Sequence, residues 1–374
     1  MKLSEKMNLL GTETAFEVLA RAEALSSEGR DIINLGIGQP DFSPPKQVVE
    51  AAIKALKDGR HGYTPAPGIL PIREAVAEYL GGNLDLDFDP TNILITPGAK
   101  PTIFFAIMMF GEIGADILYP NPGFPIYESV IKFSGAKPIP VPILEKNNFS
   151  FNADELLSLI TPATRLIILN FPANPTGGAA SRKEIDRFVE GIQARPDIAI
   201  LSDEIYSQIY YRGNEHVSLL SYPQIKDRLI LLDGWSKTYS MTGWRIGFSV
   251  WPDELIEGAI KLAVNCHSCV NTASQWGAIA ALKGPQKSVR EMVASFDKRR
   301  QFLVEALNKI PQITCKDPEG AFYVFPNIRE TGRDSFTLQQ ELLEEVGVAT
   351  VAGTSFGKFG EGYLRISYAN SIEN

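Results

Sequence analysis

The chain predicts an α/β fold: a mostly parallel central sheet with helices on both faces, plus a smaller α+β domain. Three observations carry this. Short apolar runs alternate with helical patterns across residues 46–284. The runs are almost continuously apolar, as strands are when helices cover both faces of a parallel sheet. Beyond Gln286 the order changes to one long helix, then short strands around a second helix. A length of 374 residues suits one large domain and a smaller one. The expected division is 46–284 for the large domain and 1–45 with 285–374 for the small one.

Taken in order, the expected strands of the sheet are Asn92–Thr96, Ala115–Tyr119, Arg165–Asn170, Asp197–Asp203, Leu229–Asp233 and Arg245–Val250. The expected helices are Pro45–Asp58, Ile69–Leu80, Lys100–Phe110, Asn152–Leu159, Arg182–Ala194 and Asp253–Val264. Asn152 and Ser181 stand at N-cap positions, each with a glutamate three residues later, the spacing of a capping box. In the small domain, helix Gln286–Lys309 precedes strands at Ala321–Phe325, Val348–Val351 and Tyr363–Ser367, with helix Ser335–Val346 among them. The proline-rich stretches, Pro138 to Pro142 among them, read as rigid loops.

Composition narrows the function. A hydrophobic content of 44% with 21% charged residues is that of a globular protein with ample surface to bury. A net charge of −8 disfavours nucleic acid or anionic membrane as partner, since both call for basic patches. No long apolar run or secretory leader is visible, so a cytoplasmic location is expected. Cys266-His-Ser-Cys269 is formally a C-x-x-C, but no second ligand pair accompanies it. Cys266, Cys269 and Cys315 therefore read as reduced structural thiols, and no metal site is expected.

Ligands of parallel sheets bind beyond the carboxyl ends of the strands. Four polar groups fall there: the Gly98-Ala99-Lys100 turn, Asn174, Asp203 and Lys237. Alone, each has a bland reading: a strand-to-helix turn, loop chemistry, a strand-end cap with Glu204 as a solvated charge, a surface lysine. Together they describe a site. Lys237 lies on a polar loop after an apolar strand, with Ser236 beside it and Arg245 at the head of the next strand. A lysine amine condenses with an aldehyde, and serine with arginine binds phosphate. Aldehyde and phosphate on one molecule describe pyridoxal phosphate (PLP). Asp203 at a buried strand end suits the pyridine nitrogen of that cofactor, and Asn174 and Tyr206 its phenolate oxygen. Arg365, at an alternating position in an apolar strand, offers a planar fork to a carboxylate, or else forms a structural ion pair.

The segments G-Y-T-P-A-P-G at 62–68, P-G-A-K at 97–100, N-P-G-F-P-I-Y at 121–127, N-F-P-A-N-P-T-G at 170–177, S-D-E-I-Y at 202–206 and S-K-T-Y-S-M-T-G-W-R-I-G at 236–247 resemble the class I/II aminotransferases of PLP fold type I. The aspartate aminotransferase-like branch is the nearest. That resemblance implies a central sheet of the seven-stranded type and an internal aldimine between Lys237 and PLP. Asp203 would face the ring nitrogen, Tyr206 and Asn174 the phenolate, and Phe124 would stack on the ring. Ser236, Arg245 and the Ala99–Lys100 backbone would hold the phosphate, reached also by Tyr63 of a neighbouring subunit in a homodimer. Arg365, helped by the Gly38 backbone, would bind the substrate α-carboxylate.

The reaction implied is a ping-pong transfer of an amino group between an L-amino acid and a 2-oxo acid. A PLP lyase or synthase of the same fold, and a non-enzymatic PLP-binding domain, are the competing readings. The family usually continues into a final helix beyond the Arg365 strand, so a shortened C-terminus is expected here. The 12–14 segment and the 264–272 loop are expected to shape the side-chain pocket without naming a substrate.

Overall fold

The computed structural model describes residues 1–374 apart from Arg212, Asn214 and Glu215. In chain order the strands are β1 (Ile33–Asn34), β2 (Ile93–Thr96), β3 (Asp116–Asn121), β4 (Lys137–Pro142), β5 (Thr164–Asn170), β6 (Ala199–Asp203), β7 (Leu229–Gly234), β8 (Gly247–Val250), β9 (Tyr323–Val324), β10 (Val348–Ala349), β11 (Val351–Ala352) and β12 (Leu364–Ser367). Strands β2 to β8 form one sheet in the order β2-β8-β7-β6-β5-β3-β4. All neighbours in it are parallel except β8, which runs against both β2 and β7.

Apolar residues alternate between two packed faces. Leu94, Ile117, Leu166, Leu201 and Ile230 face helices Lys100–Phe110, Asp253–His267 and Lys287–Leu307. On the reverse side, Ile93, Ile95, Leu231 and Phe248 meet helices Lys46–Lys57, Leu70–Leu84 and Thr272–Lys283. Leu118, Ile167 and Ile200 pack on helix Arg182–Ile192, which buries Ile185, Phe188, Val189 and Ile192. That spacing sets one helical stripe against the sheet.

Strand β4 corrects the reading of Pro138–Pro142 as loop. It is the edge strand, parallel to β3. Lys137 N and Ile143 N donate inward to Ala115 O and Asn121 O. Pro138, Pro140 and Pro142 fall on the alternate positions, where the nitrogen faces the open edge and no donor is missed. Such an edge also resists pairing with another chain.

The expected caps form: Asn152 accepts from Glu155 N and Ser181 from Glu184 N. The reciprocal half of the second capping box does not. Glu184 Oε2 instead accepts from Ala153 N at 2.6 Å, tying two helix starts together.

The remaining strands form a parallel pair, β1 with β10, and an antiparallel sheet in the order β11-β12-β9. Helix Lys287–Leu307 leads from the central sheet to these strands, and helix Ser335–Val346 packs among them.

Candidate active site

The reversal of β8 shapes the rim of the sheet. Strands β2, β3, β5, β6 and β7 all end at one rim, and the antiparallel β8 begins there. Gly247 pairs with Thr96 on one side and Gly234 on the other. Glycine is required at this crossing, because a Cβ on Gly247 would stand 2.8 Å from Gly98 C and 2.9 Å from Ala99 N. The turn before helix Lys100–Phe110 can therefore settle onto β8, with its free N–H groups at a helix start.

A cavity of about 500 Å³ opens on this rim. It is lined by Gly38, Ala99, Lys100, Phe124, Asn174, Asp203, Tyr206, Ser236, Lys237, Arg245 and Arg365, which is every candidate site residue except Tyr63. Tyr63 is 94% exposed and does not line the cavity of its own chain.

Lys237 sits in a one-turn helix, Trp235–Thr238, rather than on a loop. Its Nζ donates to Gly38 O at 2.6 Å. Burial, and then the positive charges of Arg365 and Arg245, push the amine down to about 8. About a tenth of the amine is therefore neutral, and nucleophilic, at about pH 7, and about half at about pH 8.

Asp203 is 4% exposed and accepts from Tyr127 Oη at 2.6 Å. Burial lifts this carboxyl to about 6, with the Tyr127 bond opposing the rise. The next residue behaves differently from its expected role as a solvated charge. Glu204 is buried on the far side of β6, where it pairs with His216 and accepts from Ser202 and Leu219 N.

Arg245 departs from expectation too. It precedes β8 in a left-handed conformation (φ 51°) and is exposed at the rim, so burial does not constrain it. The turn lifts its side chain off the sheet, where it donates to Thr242 O and Pro97 O. Gly98, at φ +83°, makes room for it: a Cβ there would collide with the guanidinium. Arginine, a helix start and buried Ser236 thus border one corner of the cavity.

Across the cavity, Arg365 is 4% exposed and lies between the rings of Tyr323 and Phe356, 4.7 and 4.8 Å from their centroids. Its Nη1 donates to Asn174 Oδ1 at 3.0 Å and its Nη2 to Gly36 O. Among the described residues its Nε has no hydrogen-bond partner and it forms no ion pair. A buried cation without a counter-ion is costly, so this side chain is prepared for an anion. Asn174 keeps its amide donor while its oxygen serves Arg365.

Sequence reasoning missed two members of the site. Tyr127 lies at the end of the 121–127 motif, so its signal was present. Tyr323 bonds Tyr206 Oη at 2.8 Å, stacks on Arg365 and occupies the space a Cβ on Gly38 would need. Its only signal was a strand position among aromatics.

A lysine with a lowered pKa and a buried carboxylate converge at the carboxyl rim of a parallel sheet, beside an anion corner. These features define a PLP enzyme of fold type I. Comparison with known proteins agrees. Residues 30–374 match the family described as Aminotransferase class I and II. The chain is 40% identical to the aspartate aminotransferase of Pyrococcus horikoshii, covering 99% of this chain and 94% of that one. It is 37% identical to aromatic-amino-acid aminotransferase 2 of Thermococcus litoralis, covering 100% of this chain and 95% of the other. The crystal structure of the aspartate aminotransferase from Rhizobium meliloti superposes with a TM-score of 0.94 at 32% identity, covering 99% of this chain and 95% of that one. The chain belongs to the class I and II aminotransferases, PLP-dependent enzymes of transamination.

Proposed function

We propose that Lys237 holds PLP in this cavity and that the residues around it move an amino group between an L-amino acid and a 2-oxo acid. The observation that carries this reading is the pairing, in one cavity, of an amine pushed down to about 8 with a buried Arg365 that forms no ion pair among the described residues. The cofactor fits the residues present. Asp203 is a buried acid with no cation paired to it among the described residues, and Gly98 lacks the Cβ that would close the Arg245 corner.

When bound, PLP supplies an aldehyde that captures amines and a ring that withdraws electrons from the substrate. The protein does the rest. Ser236, Arg245 and the Ala99–Lys100 backbone would hold the phosphate, and Phe124 would lie against the ring. Asp203 would keep the ring nitrogen protonated, and Asn174 and Tyr206 would donate to the phenolate oxygen. Arg365 fixes the substrate α-carboxylate, with the Gly38 backbone beside it, and so orients the Cα–H bond. The Lys237 amine, pushed down to about 8, would take the Cα proton as a general base.

In this reading residues 46–284 form the cofactor-binding domain, and 1–45 with 285–374 supply the substrate-binding side. Among the described residues no helix is long and apolar enough to cross a membrane; the composition suits a cytoplasmic enzyme. The working unit is a homodimer in which exposed Tyr63 reaches the neighbour's phosphate. Val49, Ile53 and Leu56, exposed along one helix face, suit a covered surface.

Borohydride reduction followed by peptide mapping tests the assignment. A pyridoxyl label on Lys237, and amino transfer from a panel of donors to 2-oxo acids, are expected. Label elsewhere removes Lys237 from its role, and pyruvate with ammonia formed without an acceptor would indicate a lyase.

A further inference from the structure

One charged pair in the cavity has no part in the chemistry above. Glu13 is the N-cap of helix Thr14–Ser27, yet its side chain caps nothing. It turns into the cavity and forms an ion pair with Lys100. The Lys100 ammonium lies between two aromatic rings, 5.7 Å from the centroid of Phe16 and 5.4 Å from that of Phe124. Ala15, Ile37 and Ile103 add apolar lining to the same cavity.

Charge matching shows what the pair leaves open. Among the described residues the cavity is lined by four cations, Lys100, Lys237, Arg245 and Arg365, and two acids, Glu13 and Asp203. The proposed function, on which this argument rests, assigns Arg245 to phosphate, Arg365 to the α-carboxylate, Asp203 to the ring nitrogen and Lys237 to the covalent bond. Of this chain's own lining cations only Lys100 remains to meet a second substrate carboxylate, and Glu13 already meets it. An acidic side chain entering here would have to displace Glu13 from Lys100 or lie beside a like charge. An uncharged, apolar side chain meets Phe16, Ile37 and Ile103 without penalty.

We propose that Glu13 determines donor specificity: by neutralising Lys100 it directs the pocket towards amino acids with apolar side chains and against those with a distal carboxylate. The relatives named for aspartate share the fold and not, in this reading, the preference.

The test uses the PLP-loaded enzyme and the change in cofactor absorbance during the amino-donor half-reaction. Aspartate, glutamate, leucine and phenylalanine are compared by second-order rate constant. The parent enzyme is expected to favour leucine or phenylalanine over both acids. Glu13→Gln should raise the acidic-to-apolar ratio by about tenfold or more, and adding Lys100→Gln should remove that gain. A parent enzyme that prefers the acids, or a ratio unchanged by Glu13→Gln, would overturn the proposal while leaving the aminotransferase reading intact. No absorbance change with any donor would overturn both. Because the parent ratio is itself decisive, the proposal stays falsifiable even if a variant fails to fold.

Discussion

Tyr127 Oη donates to Asp203 Oδ2 at 2.6 Å from the motif that follows β3, so the buried acid is held by a neighbour across the sheet's rim. The bond favours the ionised carboxyl and partly offsets the burial that lifts it to about 6. Removing the donor in Tyr127→Phe should raise the carboxyl further. If cofactor binding requires ionised Asp203, its decline on the acid side should begin about one pH unit higher. Spectroscopic titration of the cofactor-free protein with PLP at several pH values checks this, and an unmoved acid limb would disconnect Tyr127 from the site.

A second expectation concerns stability. The cofactor-free fold binds the Asp203 proton more tightly than the unfolded chain does, since burial raises the carboxyl from 3.8 to about 6. Relative to the unfolded chain, this group costs nothing below the unfolded value. It becomes a penalty as pH rises towards 6, and the penalty is complete above that. Asp203→Asn removes the charge. The cofactor-free variant should exceed its parent by on the order of 2 kcal/mol at about pH 8. The advantage should shrink as pH falls towards about 4, while PLP affinity is lost. Asp233, lifted to about 7, titrates in both proteins and cancels in the difference. Denaturant titrations at several pH values read it, and an advantage independent of pH would contradict the burial argument.

Gly98→Ala should weaken PLP retention. Its φ of +83° strains an L side chain, and the added Cβ would push Arg245 from the rim. A loss of about tenfold or more in PLP affinity is expected, with the sheet intact. Equilibrium dialysis measures it, and an unchanged affinity would mean that Arg245 does not need its present place.

The proposed crossing of Tyr63 between subunits has a clean readout. Lys237→Ala and Tyr63→Phe chains should each be impaired alone. Mixed dimers should regain one good site, whose lysine comes from one chain and tyrosine from the other. If each chain used its own Tyr63, mixing would restore nothing.

Legibility in the sequence followed the strength of each physical signal. Strands β5, β6 and β7 were clear because buried parallel strands are short, apolar and bounded by polar residues. The residues at their carboxyl ends followed from topology alone. Strand β4 was hidden, since three prolines argue against a strand until the edge position shows that no donor is missed. Helix Thr272–Lys283 was missed because it buries small residues around much of its surface, leaving no polar stripe to reveal its period. Arg245 was misplaced at a strand head because nothing local marks a non-glycine residue for φ 51°. The bland reading of Glu204 as a solvated charge fails because its partner His216 lies 12 residues on, a spacing that sequence alone does not disclose.

The reversed strand β8 has a consequence for how the enzyme matures. The anion corner consists of segments near residues 97–100 and 234–247, which meet only when β8 slots between its two neighbours. In the proposed function the phosphate corner thus requires β8, the last strand of this sheet in chain order, to be in place. Yellow colour during refolding is then expected no earlier than the closed sheet.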